Sequence, residues 1–94
     1  MSEAAIVTAC VRELNRRGAW HCNLHPDTGR TGLPDRIAVY RGRALVLEFK
    51  APAGRLRRRQ AHELERAYRA GAVAAVIRDV DELRTLLDGI EGGD

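Results

Sequence analysis

The stretch LPDRIAVYRGRALVLEFK, residues 33–50, limits what this chain can become more than any other. Two apolar runs rich in strand-forming residues flank Arg41-Gly42. A two-residue loop with glycine in second place is the commonest hairpin connection, and loop length sets the register. On that register Tyr40 faces Arg43, Val39 faces Ala44, Ile37 faces Val46 and Asp35 faces Glu48. Directly opposed side chains share a sheet face, their Cβ atoms roughly 4.5–5.5 Å apart. Lys50, two residues beyond Glu48, points the same way. Two carboxylates and an ammonium therefore gather at one end of the hairpin, beside the apolar Ile37, Val39, Ala44 and Val46.

Opposed like charges next to apolar surface are destabilising unless something positive lies between them. Lys50 neutralises the pair in part, and a divalent cation does so better. Oxygen-only ligation suits Mg2+ or Mn2+, which bind through one or two carboxylates and several waters. The plainer arrangement is a solvated strand end with a Lys50–Glu48 ion pair. A one-residue slip of register would separate the acids.

Charge composition sharpens the choice. Fifteen of the sixteen basic residues are arginine, and the single lysine is Lys50. A guanidinium cannot easily lose its proton, whereas a partly buried lysine can approach neutrality or hold a water as a compact charge. The alternative is an arginine-rich bias that spared one lysine by accident. The net charge of +3 is compatible with a nucleic-acid partner without requiring one.

The remaining pattern predicts a single domain over residues 1–88 with a frayed tail over 89–94. Helices are expected over residues 3–17, 56–70 and 80–87, and strands over 19–24, 35–40, 43–50 and 72–77. Ser2 is a candidate N-cap, Gly18 and Gly71 are helix stops, and Asp79 with Glu82 makes a capping-box pattern. The last strand, fully apolar, is expected to be buried on both faces. The order αβββαβα predicts an α/β fold in which one mixed sheet is flanked by helices. A right-handed crossover is expected between the third strand and the fourth. No run is long and apolar enough for a membrane span. Glu3 stands where a signal peptide carries basic residues, so a cytoplasmic location is expected.

Two helical residues extend the cluster. Glu3 continues the apolar stripe of Ile6 and Val7, although an acid in a first turn also suits the helix dipole. Gln60 lies on the stripe of Leu64, Ala67 and Tyr68, where that helix faces inward; the alternative is a polar residue at a frayed helix start. Arg55, Arg57, Arg58 and Arg59 crowd the N-terminal end of the same helix, where the dipole disfavours cations. Phosphates beside the cluster supply a reason for them, with a solvated basic face as the alternative. Arg30, in the loop leading to Asp35, is a further candidate DNA contact, as are His21 and His25. Alternation separates Cys22 from His21, and no second ligand pair follows at zinc spacing. Trp20 and Cys22 are expected in the core, with Cys10 and Cys22 reduced.

Pro34-Asp35 followed by Glu48-Phe49-Lys50, with a helix acid before and a helix glutamine after, resembles the PD-(D/E)XK nuclease superfamily. Within it the chain is similar to VRR-NUC (virus-type replication-repair nuclease) domains. The likeness rests on Glu3, Gly32-Leu33-Pro34-Asp35, Glu48-Phe49-Lys50, Gly54-Arg55-Leu56, Gln60 and Val80-Asp81-Glu82-Leu83. The resemblance implies a restriction-endonuclease-like core and an Mg2+- or Mn2+-dependent deoxyribonuclease with no small-molecule cofactor. Its short, phage-type members imply a homodimer acting on branched DNA such as four-way junctions, in a nucleoid or a phage-infected cell. Carried over by position, Asp35, Glu48 and the Phe49 backbone carbonyl would hold the metal. Lys50 would steer the attacking water, Gln60 would line the site, and Glu3 would be an outer or direct metal contact. Two rival functions are a non-catalytic nucleic-acid-binding module and a restriction-like nuclease on linear duplex DNA.

Overall fold

The hairpin forms because Arg41 and Gly42 both adopt left-handed backbone, with φ of 51° and 78°. That pairing of positive φ values suits the right-handed twist of the flanking strands. The computed structural model describes residues 1–25 and 31–93. Its elements are α1 (Glu3–Arg16), β1 (Trp20–Asn23), β2 (Arg36–Tyr40), β3 (Arg43–Phe49), α2 (Arg58–Arg69), β4 (Val73–Ile77) and α3 (Val80–Gly92). Opposed pairs run from Tyr40↔Arg43 to Arg36↔Leu47, the register that the turn dictates.

The sheet order is β1-β2-β3-β4. β1 and β3 lie antiparallel to β2, and β4 lies parallel to β3 after the chain crosses through α2. The result is the expected mixed four-stranded sheet flanked by helices. One sheet face carries Ala38, Tyr40, Leu45, Leu47 and Phe49, and it packs with Ile6, Cys10 and Leu14 of α1 and Leu83 and Leu87 of α3. Each large side chain buried there contributes about 1.5–3 kcal/mol. The opposite face carries Val46 and Glu48, over which α2 lies through Leu64 and Gln60.

That second face is only partly covered, which corrects two expectations. Trp20 is 61% exposed and Cys22 is exposed rather than core, because β1 is an edge strand lying away from α2. β4 is the other edge, so its apolar run is half-buried and only Ile77 is fully enclosed. Both cysteines are free, and burial pushes the Cys10 thiol up to about 11.

Two helix boundaries also move. α2 begins at Arg58, after Arg55 to Arg57, because the Gln60 side chain closes its first turn on the Arg57 N–H. α3 continues to Gly92, through most of the expected tail, because Glu91 accepts from the Tyr40 hydroxyl and from Arg17 Nη1, and Asp88 also accepts from Arg17. Ser2 caps α1 as expected. Asp79 caps α3 by accepting from the Glu82 N–H, while Glu82 reaches back to the Arg78 N–H. Among the described residues no helix is long and apolar enough to cross a membrane.

Candidate active site

Asp35 stands just before β2, behind the buried Pro34, whose lack of an N–H suits the start of a strand. Its backbone carbonyl accepts from the Leu24 N–H at 3.0 Å, extending the β1–β2 ladder by a step. Its side chain reaches across to β3, where Oδ2 accepts from the Phe49 N–H at 2.7 Å. A strand residue directs its N–H and C=O to the same edge. The Phe49 carbonyl therefore also faces Asp35, as metal ligation would require.

Glu48 is 2% exposed. Its Oε2 accepts from Gln60 Nε2 at 3.1 Å and lies 3.5 Å from Lys50 Nζ. Its Oε1 is buried and has no partner among the described residues. Such an oxygen loses its hydration without a replacement bond. Burial foremost, and then the Asp35 charge, raise the Glu48 pKa to about 7 against a partial offset from Lys50. One ammonium thus does not neutralise the pair. A hard cation at Oε1 would satisfy both the bare oxygen and the paired acids, so this donor set fits Mg2+ or Mn2+. Among the described residues no three His, Cys, Asp or Glu side chains stand close enough to share an ion. The Phe49 carbonyl and solvent would have to complete the coordination, which is ordinary for Mg2+.

The register thus brings together Asp35, Glu48 and Lys50, and α2 adds Gln60. Glu3 is exposed in the first turn of α1 and makes no hydrogen bond or ion pair to any of them. The backbone of Lys50 is fixed on the far side, its N–H donating to the Ile77 carbonyl of β4 at 3.1 Å.

A solved structure described as a VRR_NUC domain superposes on this chain with a TM-score of 0.79. The match covers 94% of this chain and 97% of that one, at 21% sequence identity. This chain has the VRR_NUC fold. No family model matches the sequence, and no curated protein does.

On this VRR_NUC fold the arginines divide by role. Arg55, Arg57 and Arg58 are exposed without an ion pair among the described residues, and the first turn of α2 contains no acid. Arg59 instead donates to the Thr31 hydroxyl and packs against Gly32, bracing the approach to Asp35. Arg30 lies outside the described residues. His21 uses both ring nitrogens, accepting from Arg36 at Nδ1 and bonding Asn15 through Nε2, which leaves none for a metal.

Sequence reasoning missed two contributors. Arg78 donates through Nη1 to the carbonyls of Ala51, Pro52 and Gly54, clamping the chain between Lys50 and α2. His25 bonds Asp35. Neither has a local signal, since each acts across a register or loop set by tertiary packing.

Proposed function

We propose that this chain is a VRR-NUC member of the PD-(D/E)XK superfamily: a Mg2+- or Mn2+-dependent deoxyribonuclease that hydrolyses phosphodiester bonds. The observation that carries the reading is the bare, buried Oε1 of Glu48 beside Asp35, with Lys50 on the other oxygen. Asp35, Glu48 and the Phe49 carbonyl would hold the cation. When bound, the cation polarises the scissile phosphate and makes an attacking water more acidic. Lys50 steers that water in line with the leaving oxygen. Gln60 fixes the Glu48 carboxylate against rotation. Arg55, Arg57 and Arg58 hold flanking phosphates, and Arg30 is a further candidate contact. Products carry a 5′-phosphate and a 3′-hydroxyl.

Branched DNA is the preferred substrate in this reading, because the exposed arginines beside the site offer phosphate contacts, which carry no sequence information. A homodimer supplies two cutting sites for a four-way junction economically. The setting would be the cytoplasm, at the nucleoid or in a phage-infected cell.

The test is cleavage of fork, flap, four-way junction and linear duplex with Mg2+, Mn2+ or chelator. Glu48→Ala and Lys50→Ala are expected to abolish cutting while largely preserving DNA binding. Undiminished cleavage by either variant sinks the assignment. Binding without cleavage by the native protein favours the non-catalytic module instead.

A further inference from the structure

Asp35 is held from two sides. Its Oδ2 takes the Phe49 N–H from β3, and its Oδ1 takes Nε2 of His25 at 2.5 Å. An ionised carboxylate only accepts, so Nε2 carries the shared proton. His25 is itself placed by its surroundings: its N–H donates to Asn23 Oδ1 at 2.8 Å, in a local turn closing β1. Leu24, between them, is tied to the Asp35 carbonyl. The segment from Asn23 to His25 is thus stitched to Asp35 through both backbone and side chain.

Packing does not explain the bond. The His25 side chain is 53% exposed and buries no core surface. A pair so exposed adds little to folding stability. It does remove a degree of freedom: with one donor on each oxygen, the Asp35 carboxylate cannot rotate, and each oxygen keeps a lone pair. Glu48 is fixed differently, with both partners on Oε2 and Oε1 left bare.

We infer that His25 is a positioning residue for the cation site, orienting Asp35 toward the ion by donating to Oδ1 without itself ligating. The inference rests on the proposed nuclease reading, which it deepens. Hydrogen-bond partners of ligating carboxylates set metal affinity through geometry, and their loss typically weakens binding about 10- to 100-fold.

The experiment is Mn2+ binding to the full chain, read by the electron paramagnetic resonance of free Mn2+, with Mg2+ followed by calorimetry. Native protein, His25→Ala, His25→Gln and Glu48→Ala are compared, with circular dichroism confirming the fold. His25→Ala is expected to weaken both ions about 10- to 100-fold. His25→Gln is expected to recover most of that loss, because its amide can donate from a similar place. Spin-echo modulation of bound Mn2+ is expected to show no coordinated histidine nitrogen. Native-like affinity in folded His25→Ala overturns the proposal. So does failure of folded His25→Gln to improve on it, or a nitrogen coupling that vanishes in His25→Ala. Native-like Mn2+ binding by Glu48→Ala, or none by the native protein, overturns the cation site itself and is read separately.

Discussion

Gln60 donates to Oε2 of Glu48 at 3.1 Å while its own Oε1 accepts from the Arg57 backbone N–H at 2.8 Å. One amide thereby joins the start of a helix to a buried carboxylate. Gln60→Ala loses both bonds, with an expected cost of about 1 kcal/mol from the cap alone. Gln60→Glu keeps the helix-closing acceptor but sets a third carboxylate beside Asp35 and Glu48. It is expected to melt closer to the native protein than Gln60→Ala does, yet to lose cleavage at least as completely. Thermal melts paired with single-turnover cleavage check this. Equal melting of the two variants would show that the amide does not close the helix.

Gly32 sits three residues before Asp35 with φ of +82°, against Arg59. A Cβ there would overlap Arg59 Cγ and stand 3.1 Å from the Arg59 backbone carbon. Gly32→Ala is expected to destabilise by at least about 1–2 kcal/mol from the left-handed backbone alone. Adding Arg59→Ala removes the overlap with Cγ but neither the backbone contact nor the strained φ, so it recovers only part of the loss. Urea unfolding of the two variants measures the difference. Complete recovery would place the whole cost in the side chain.

The legible part of the molecule was the part governed by short-range rules. Arg41-Gly42 dictates the β2–β3 register as far as Arg36↔Leu47, and just beyond it Asp35 reaches the Phe49 N–H while Lys50 lies by Glu48. Gln60 followed from helix phase, although the helix starts later than propensity suggests, because a residue inside the first turn closes it. What was not legible depends on where elements dock. Trp20 is as apolar as a core residue, but only the position of α2 decides that its face stays open. His25 meets Asp35 through the β1–β2 register, and no tight turn between those strands announces it. The end of α3 is held by Tyr40 and Arg17, far away in sequence, so local composition reads it as frayed.

Arg78 separates an arginine that shapes the site from those proposed to meet DNA. Its Nη1 lies 2.9 Å from the Ala51 carbonyl and 2.8 Å from that of Gly54. Arg78→Ala frees the chain that runs from Lys50 to α2. Cleavage is expected to slow while DNA affinity and its salt dependence stay near native. Arg57→Ala with Arg58→Ala is expected to do the reverse, weakening binding and reducing the salt slope by as much as about 2 if each contacts one phosphate. Filter binding across a salt series, beside single-turnover rates, tells the two apart. A flattened salt slope in Arg78→Ala would mean that this guanidinium meets phosphate after all.

Glu13 offers a stability signal on the opposite side of the sheet from the site. It is 4% exposed and accepts from Arg16, from Arg17 Nε at 2.7 Å and from Arg84 Nε at 3.3 Å. These guanidiniums, Arg16 foremost, lower its pKa from 4.5 to about 2 against the opposing effect of burial. A carboxyl lowered on folding contributes stability that is whole above its unfolded pKa and disappears as pH falls through the folded one. The contribution is thus complete above about pH 4.5 and is lost progressively towards pH 2. Glu48 acts with the opposite sign, since its raised pKa makes ionisation unfavourable to the metal-free fold between about 4.5 and 7. The native profile mixes the two, and the difference between native protein and Glu13→Gln isolates the first. Arg16 and Arg84 are well exposed, so solvent screening trims the expected gap to about 2 kcal/mol at neutral pH. Denaturant titrations of both proteins from pH 7 to pH 2 should show that gap closing only in the acid window. A gap that stays constant to pH 2 would mean that Glu13 stabilises by packing rather than by charge.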